Sequence, residues 1–392
     1  MSKNIIDIEK LKKEAQNIIS PIKPADNNTK ADKKFLFNAQ RSSHSHKLPE
    51  YYLIYFLFSE LLKYKNLGQF EKVAWSFPID FNGKAFLLEH RKFGIGIFIQ
   101  DKEVDEKAAN EIVSLINRAV KRIKPFFDYI AEQAVIDSKL NVTNNSRDLL
   151  GRYEYLNQLY KGQFKKYQAN KGKYKVKKGK SKFGEYSTHT SLSFKYQQNS
   201  NWLAISCIEA FFSWTEHLFI HMAIVGNGVC DGEEIANLIG AEWKIKFKKA
   251  IPNTDNETKN FYDELLVVRQ QLRNFVAHGA FGKNGNAFSF HSNAGAVPVQ
   301  MNHKKNKNRF SLFGTLKFQD EIVIELIENF IYYLWNGSLK PLMYFIQEYG
   351  LPTILTYSKN GTYKDAMVSF EKMEEFGDYL GNQFDNAANM DW

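Results

Sequence analysis

"NWLAISCIEAFFSWTEHLFIHMAIV", residues 201–225, decides how the rest of the chain is read. It is long enough to cross a bilayer, which takes about 20 apolar residues. Its polar residues argue against that. Ser206, Glu209, Ser213, Glu216, His217 and His221 recur at steps of three and four, which gathers them on one face of an α-helix. Ionisable groups are expensive in lipid. A helix that is apolar on most sides with one polar stripe suits the centre of a helical bundle, the stripe lining a cleft. The segment predicts a buried bundle helix and no membrane partner.

On its C-terminal side, "DGEEIANLIGAEWKIKFKKA", about 231–250, reads as a second helix. A third opens at Thr254, with Glu257 completing a capping box, and runs to His278. Its apolar stripe is Phe261, Leu265, Val268, Leu272 and Phe275. Gly279 follows, where a helix end prefers a left-handed residue. A polar, hairpin-like insertion at about 281–318 precedes a further helical run, "QDEIVIELIENFIYYLWNGSLKPLMYFIQEYG". The expectation over 200–350 is a four-helix bundle with one elaborated loop, then a C-terminal extension at 351–392.

On the N-terminal side, residues 1–150 predict an α+β domain. The first 47 residues pair a short helical pattern with a polar, linker-like stretch, and "LPEYYLIYFLFSELLKYKN" (48–66) reads as a buried helix. Three strand-like runs follow, "VAWSFPIDF", "KAFLLEH" and "FGIGIFIQ", the first two joined by the hairpin signal "NGK". Ile112, Leu115, Ile116, Val120, Ile123 and Phe126 then mark one long amphipathic helix over about 107–136. The "GIG" at 94–96 lacks the third glycine and the strand–helix context of a dinucleotide site. The fold class expected for the whole chain is mainly α, with an α+β N-terminal domain and a helical bundle carrying a β-hairpin-like insertion.

The net charge of +10 is local. Residues 151–200 carry 12 basic and two acidic side chains, whereas 201–392 carry 17 and 22. Residues 161–183 hold ten lysines and no acid, with Phe164, Tyr167, Tyr174 and Phe183 interleaved. Lys171, Lys173, Lys175 and Lys177 alternate, so an extended chain would set them on one side, with Lys178 adjacent. Region 151–199 reads either as a solvated linker or as an RNA-gripping arm, lysines on phosphates and rings on bases; an acidic membrane surface is a weaker third choice. Two cysteines, Cys207 and Cys230, exclude a disulfide framework and a four-thiolate zinc site. The start of the chain lacks the apolar run of a signal peptide, and a cytoplasmic location is expected.

"RQQLRNFVAHGAFG", 269–282, carries the chemistry. Arginine and histidine at a helix C-terminus are favoured by the helix dipole, and the spacing alone is cheap: Arg41 to His46, in "RSSHSH", has it too. Context separates the two copies. Asn274 and His278 stack on one face of a capped, striped helix, with Arg273 at the edge of that face. "RNFVAHG" resembles the R-x4–6-H motif of the HEPN (higher eukaryotes and prokaryotes nucleotide-binding) superfamily, where it ends the third helix of a small bundle. The resemblance covers about residues 200–350, and the insertion at 281–318 departs from the family's minimal pattern.

The resemblance implies a metal-independent endoribonuclease with two motif copies meeting across a homodimer, a toxin or antiviral effector acting on tRNA or other RNA under an unidentified trigger or inhibitor. The residues permit that chemistry. His278 could move a proton near neutral pH, Arg273 could fork onto phosphoryl oxygens, and Asn274 could orient either. Arg269 either extends the cationic surface or is salt-bridged. Glu209 and Glu216 either orient the motif or pair structurally. His217 and His221 have the spacing of two metal ligands, but no third is close in sequence, so no metal or cofactor is expected. From a different class, a non-catalytic HEPN-like module would dimerise or bind nucleotide or RNA, and a plain structural bundle would merely carry favourable cations.

Overall fold

A computed structural model describes residues 6–252, 255–278, 289–291, 298–300 and 320–392, with the backbone alone for 37, for 273–278 and for the two short strands of the insertion. The chain is mainly helical, with an antiparallel sheet near its N-terminus. It divides into two compact units, 1–137 with 378–392, and 138–377. The division differs from the expected 1–150 and 351–392, because the end of the chain returns to the first unit. There Trp392 donates from its indole to the Val73 carbonyl at 3.1 Å, and Lys92 reaches Asn389 at 3.0 Å.

The first unit is built on a five-stranded antiparallel sheet in the order β1-β3-β4-β5-β2: β1 Ile22–Pro24, β2 Gln40–Arg41, β3 Val73–Phe81, β4 Lys84–Arg91 and β5 Gly94–Ile99. The β3–β4 turn is the expected one, with Asn82 and Gly83 both at positive φ. The linker-like N-terminal stretch instead supplies both edge strands. The helix Lys102–Arg122 packs on one sheet face, burying Ile112, Leu115, Ile116 and Val120 against Phe77, Ile79 and Ile97. The single helix expected over 107–136 is broken: Arg122 ends one helix and Lys124–Ile136 forms another. Pro125, which has no N–H to donate, opens the second. The predicted helix 48–66 is shorter, Tyr51–Tyr55 continuing as a π-helical turn through Leu61.

The second unit is organised by one helix, Phe194–Asn227. It is long and apolar enough to span a membrane, but protein covers its apolar faces: Ala204, Ile208, Phe211, Trp214, Leu218 and Met222 are all buried. Ser146–Asn170 pairs with it, Tyr153 meeting Phe211 ring to ring at 6.1 Å. Half of the expected linker at 151–199 is therefore a bundle helix. The rest is a β-hairpin, β7 Tyr174–Ser181 and β8 Gly184–Ser191, after the short β6 Asn141–Val142.

Gly232–Gly240 and Trp243–Ala250 are two helices where one was expected. The helix holding the motif runs Asn256–His278 and is capped by Asp255, which accepts from the Thr258 N–H at 2.7 Å. Thr254 and Gly279, the expected cap and stop, lie outside the described residues. Within the insertion, β9 Ser289–His291 and β10 Pro298–Gln300 pair antiparallel. Asp320–Leu334 completes the core, and the long final run breaks after it at Asn336–Gly337. A ring cluster of Phe211, Phe212, Phe219, Trp243, Phe247 and Phe330 binds these helices together.

Candidate functional site

The relative direction of three helices sets the geometry. Asp320 lies beside Asn201, whose side-chain amide is 3.1 Å from its carboxylate, and Phe330 lies beside Phe211. Asp320–Leu334 thus runs in the same direction as Phe194–Asn227. The motif helix runs against it, since Thr258 meets Tyr333 at 2.7 Å and Phe261 meets Phe330 at 5.3 Å. Farther along, Arg269 meets Glu216 and Phe212. The β7–β8 hairpin projects from the start of the long helix.

Arg273, Asn274 and His278 are on the last turns of this helix; their side chains lie outside the described residues. What leads up to them is described. Glu216, half-buried on the polar stripe, pairs with Arg269 and with Lys246, whose ammonium is 3.4 Å away. Arg269 is salt-bridged and also lies over the Phe212 ring at 5.2 Å. Glu209 and Ser213 are exposed on the same stripe, and no described residue pairs with Glu209. The stripe is thus exposed at Glu209 and Ser213 and closed by ion pairs at Glu216.

One turn deeper, His221 is buried, with its Nδ1 3.0 Å from the Thr353 hydroxyl and its Nε2 3.0 Å from His217 Nε2. The Asn145 N–H donates to the same His217 nitrogen at 2.9 Å. Burial lowers the His217 pKa, with Lys246 adding to it. Burial first, then His217, pushes His221 down to about 3. The pair is a neutral hydrogen-bonded strut tying helix to loop. Among the described residues no three metal-ligating side chains converge. Cys207 is buried and free, its thiol pushed up to about 12 by burial, with Glu328 reinforcing the shift.

The hairpin is the second part of the site. All of Lys171, Lys173, Lys175, Lys177 and Lys178 are exposed. The expected single row is split. Lys175 and Lys177 stand opposite Thr190 and Thr188 on one face, whereas Lys178 stands opposite Ser187 on the other, and Lys171 and Lys173 precede the strand. The Arg41–His46 copy of the spacing is structural: Arg41 donates to the Phe93 and Ile95 carbonyls, and Ser42 and Ser43 bind Glu106.

An open groove of about 880 Å³ lies at the other end of the motif helix, lined by Asp255, Glu257, Glu264, Tyr332 and Tyr333. Its acidic wall suits no phosphate. Sequence reading missed Lys246 and the hydrogen bonding of the His217–His221 pair. Lys246 had a signal: it lies three residues after Trp243 and four before Ala250, on the apolar face of its helix. Comparison with protein-family models, curated proteins and solved structures finds no match to this chain.

Proposed function

We propose that the chain is a HEPN-type, metal-independent endoribonuclease. The observation that carries this reading is that Arg273, Asn274 and His278 sit on the closing turns of a bundle helix, in the same compact unit that projects an exposed lysine hairpin. In this reading the 2′-hydroxyl of the RNA attacks the adjacent phosphorus and gives its proton to a basic imidazole. The P–O5′ bond breaks, leaving a 2′,3′-cyclic phosphate and a 5′-hydroxyl that takes up a proton. His278 serves the proton transfers, Arg273 neutralises the phosphoryl oxygens, and Asn274 orients one of them. Two copies of the motif in a homodimer would supply both an acid and a base. A cytoplasmic toxin or antiviral effector is the role this chemistry fits, with tRNA among the candidate substrates and no cofactor needed.

The test is purified protein with total RNA in EDTA. Fragments ending in cyclic phosphate, lost in both Arg273→Ala and His278→Ala at unchanged folding, support the reading. A second reading, an RNA-binding or dimerising module without catalysis, is favoured by one observation. Arg269, the cation one turn before Arg273, is already consumed by Glu216. Binding without cutting in the same experiment selects it.

A further inference from the structure

The β7–β8 ribbon contacts solvent on both faces, which is unusual for a two-stranded hairpin, since such a ribbon is only marginally stable in water. Between Lys171 and Ser191 it carries seven lysines and one acid, Glu185, which pairs with Lys180 at 2.9 Å. One detail distinguishes its two faces. Gly179 and Tyr186 are directly opposed, and a Cβ built at Gly179 would lie 2.6 Å from Cζ and 2.7 Å from the hydroxyl of Tyr186. The Tyr186 ring therefore lies flat across the strand, over a position that only glycine leaves open. Its outer side is bare, the residue being 56% exposed. Lys175 and Lys177 stand on that same face.

We propose that this face is a stacking platform for single-stranded RNA: a base rests on the outer side of Tyr186 while Lys177 and Lys175 take the flanking phosphates. The inference rests on the hairpin being the RNA-holding arm of the nuclease reading, and adds the strandedness of the ligand. A flat ring with its π-face outward meets unpaired bases, which a duplex keeps stacked inside. The net positive charge matches a phosphate backbone. Phe183, at the turn of the same ribbon, is fully exposed.

The experiment uses the full chain and a 2′-O-methyl oligonucleotide containing 2-aminopurine. That strand has no free 2′-hydroxyl and cannot be cut by the proposed route, so binding is read whether or not the protein is a nuclease. Expected are quenching of the 2-aminopurine and clear preference over a blunt duplex of equal length. Tyr186→Phe should bind like the wild type. Tyr186→Leu, which still covers Gly179, should bind about tenfold more weakly and lose the quenching. Lys175→Ser with Lys177→Ser should flatten the salt dependence. Equal affinity of the Leu variant and wild type, or equal affinity for duplex or for anionic lipid vesicles, overturns the proposal.

Discussion

Glu216 holds two cations, and one of them, Lys246, has a side chain only 6% exposed. An ammonium that deep is tolerated because a carboxylate faces it; removing the anion leaves a buried charge uncompensated. Glu216→Gln is expected to destabilise the protein by about 1–3 kcal/mol in urea unfolding. Adding Lys246→Met should recover most of that loss, and an unchanged midpoint in the single variant would show that the pair contributes nothing. His221 controls a different variable. Its folded pKa is held at about 3, below that of the unfolded chain, so acidification protonates the unfolded state first. Its contribution to stability is complete above about pH 6.5 and is lost as pH falls below that value. Asp320 acts in the opposite sense, burial having raised its pKa to about 6. The folded state takes up that proton first, and stability rises as pH falls from about 6 towards 4. In thermal melts at pH 7 and pH 5, His221→Gln should shrink the fall in Tm and Asp320→Asn should enlarge it. Parallel curves for all three proteins would show that neither group is linked to folding.

At the level of elements, local chemistry decided where regular structure starts and stops. Asn82–Gly83 makes its hairpin because both residues accept positive φ, and the alternating strands beside it were readable for the same reason. The amphipathic stripe over Ile112–Phe126 was readable too, but it continues unbroken across Ile123, where the helix itself stops ahead of Pro125. Close packing between elements is invisible in sequence. Gly377, on the helix Phe370–Asn389, has the Tyr349 ring against the place where a Cβ would stand, and that ring is held by a hydrogen bond to the Glu374 carbonyl. Gly377→Ala should therefore destabilise by about 1–3 kcal/mol despite its better helix propensity; a stabilised variant would mean that the ring moves freely. The lysine ribbon belongs to this scale as well. Replacing Lys175, Lys177 and Lys178 by serine should make the slope of log binding constant against log salt shallower by about 2 for single-stranded RNA. An unchanged slope would reduce the hairpin to a connection between two helices.

Across the whole molecule, the catalytic proposal makes a prediction that no single element does. RNA cutting in EDTA should depend on protein concentration if two motif copies are needed, and should fall on dilution below the dimer's dissociation constant. Cutting by a strictly monomeric protein at full specific activity would remove the paired-motif mechanism. The chain by itself determined helix faces, turn residues and the local charge excess, because these follow from periodicity and from the φ preferences of glycine, asparagine and proline. It also marked Arg273, Asn274 and His278 as neighbours, since four residues make about one helical turn. Only the tertiary structure decided that half of a supposed linker is a bundle helix, that Glu216 is shared by Arg269 and Lys246, and that Tyr186 lies on Gly179. Contacts between residues distant in sequence depend on how helices are directed and which strands pair, and no local pattern encodes those choices.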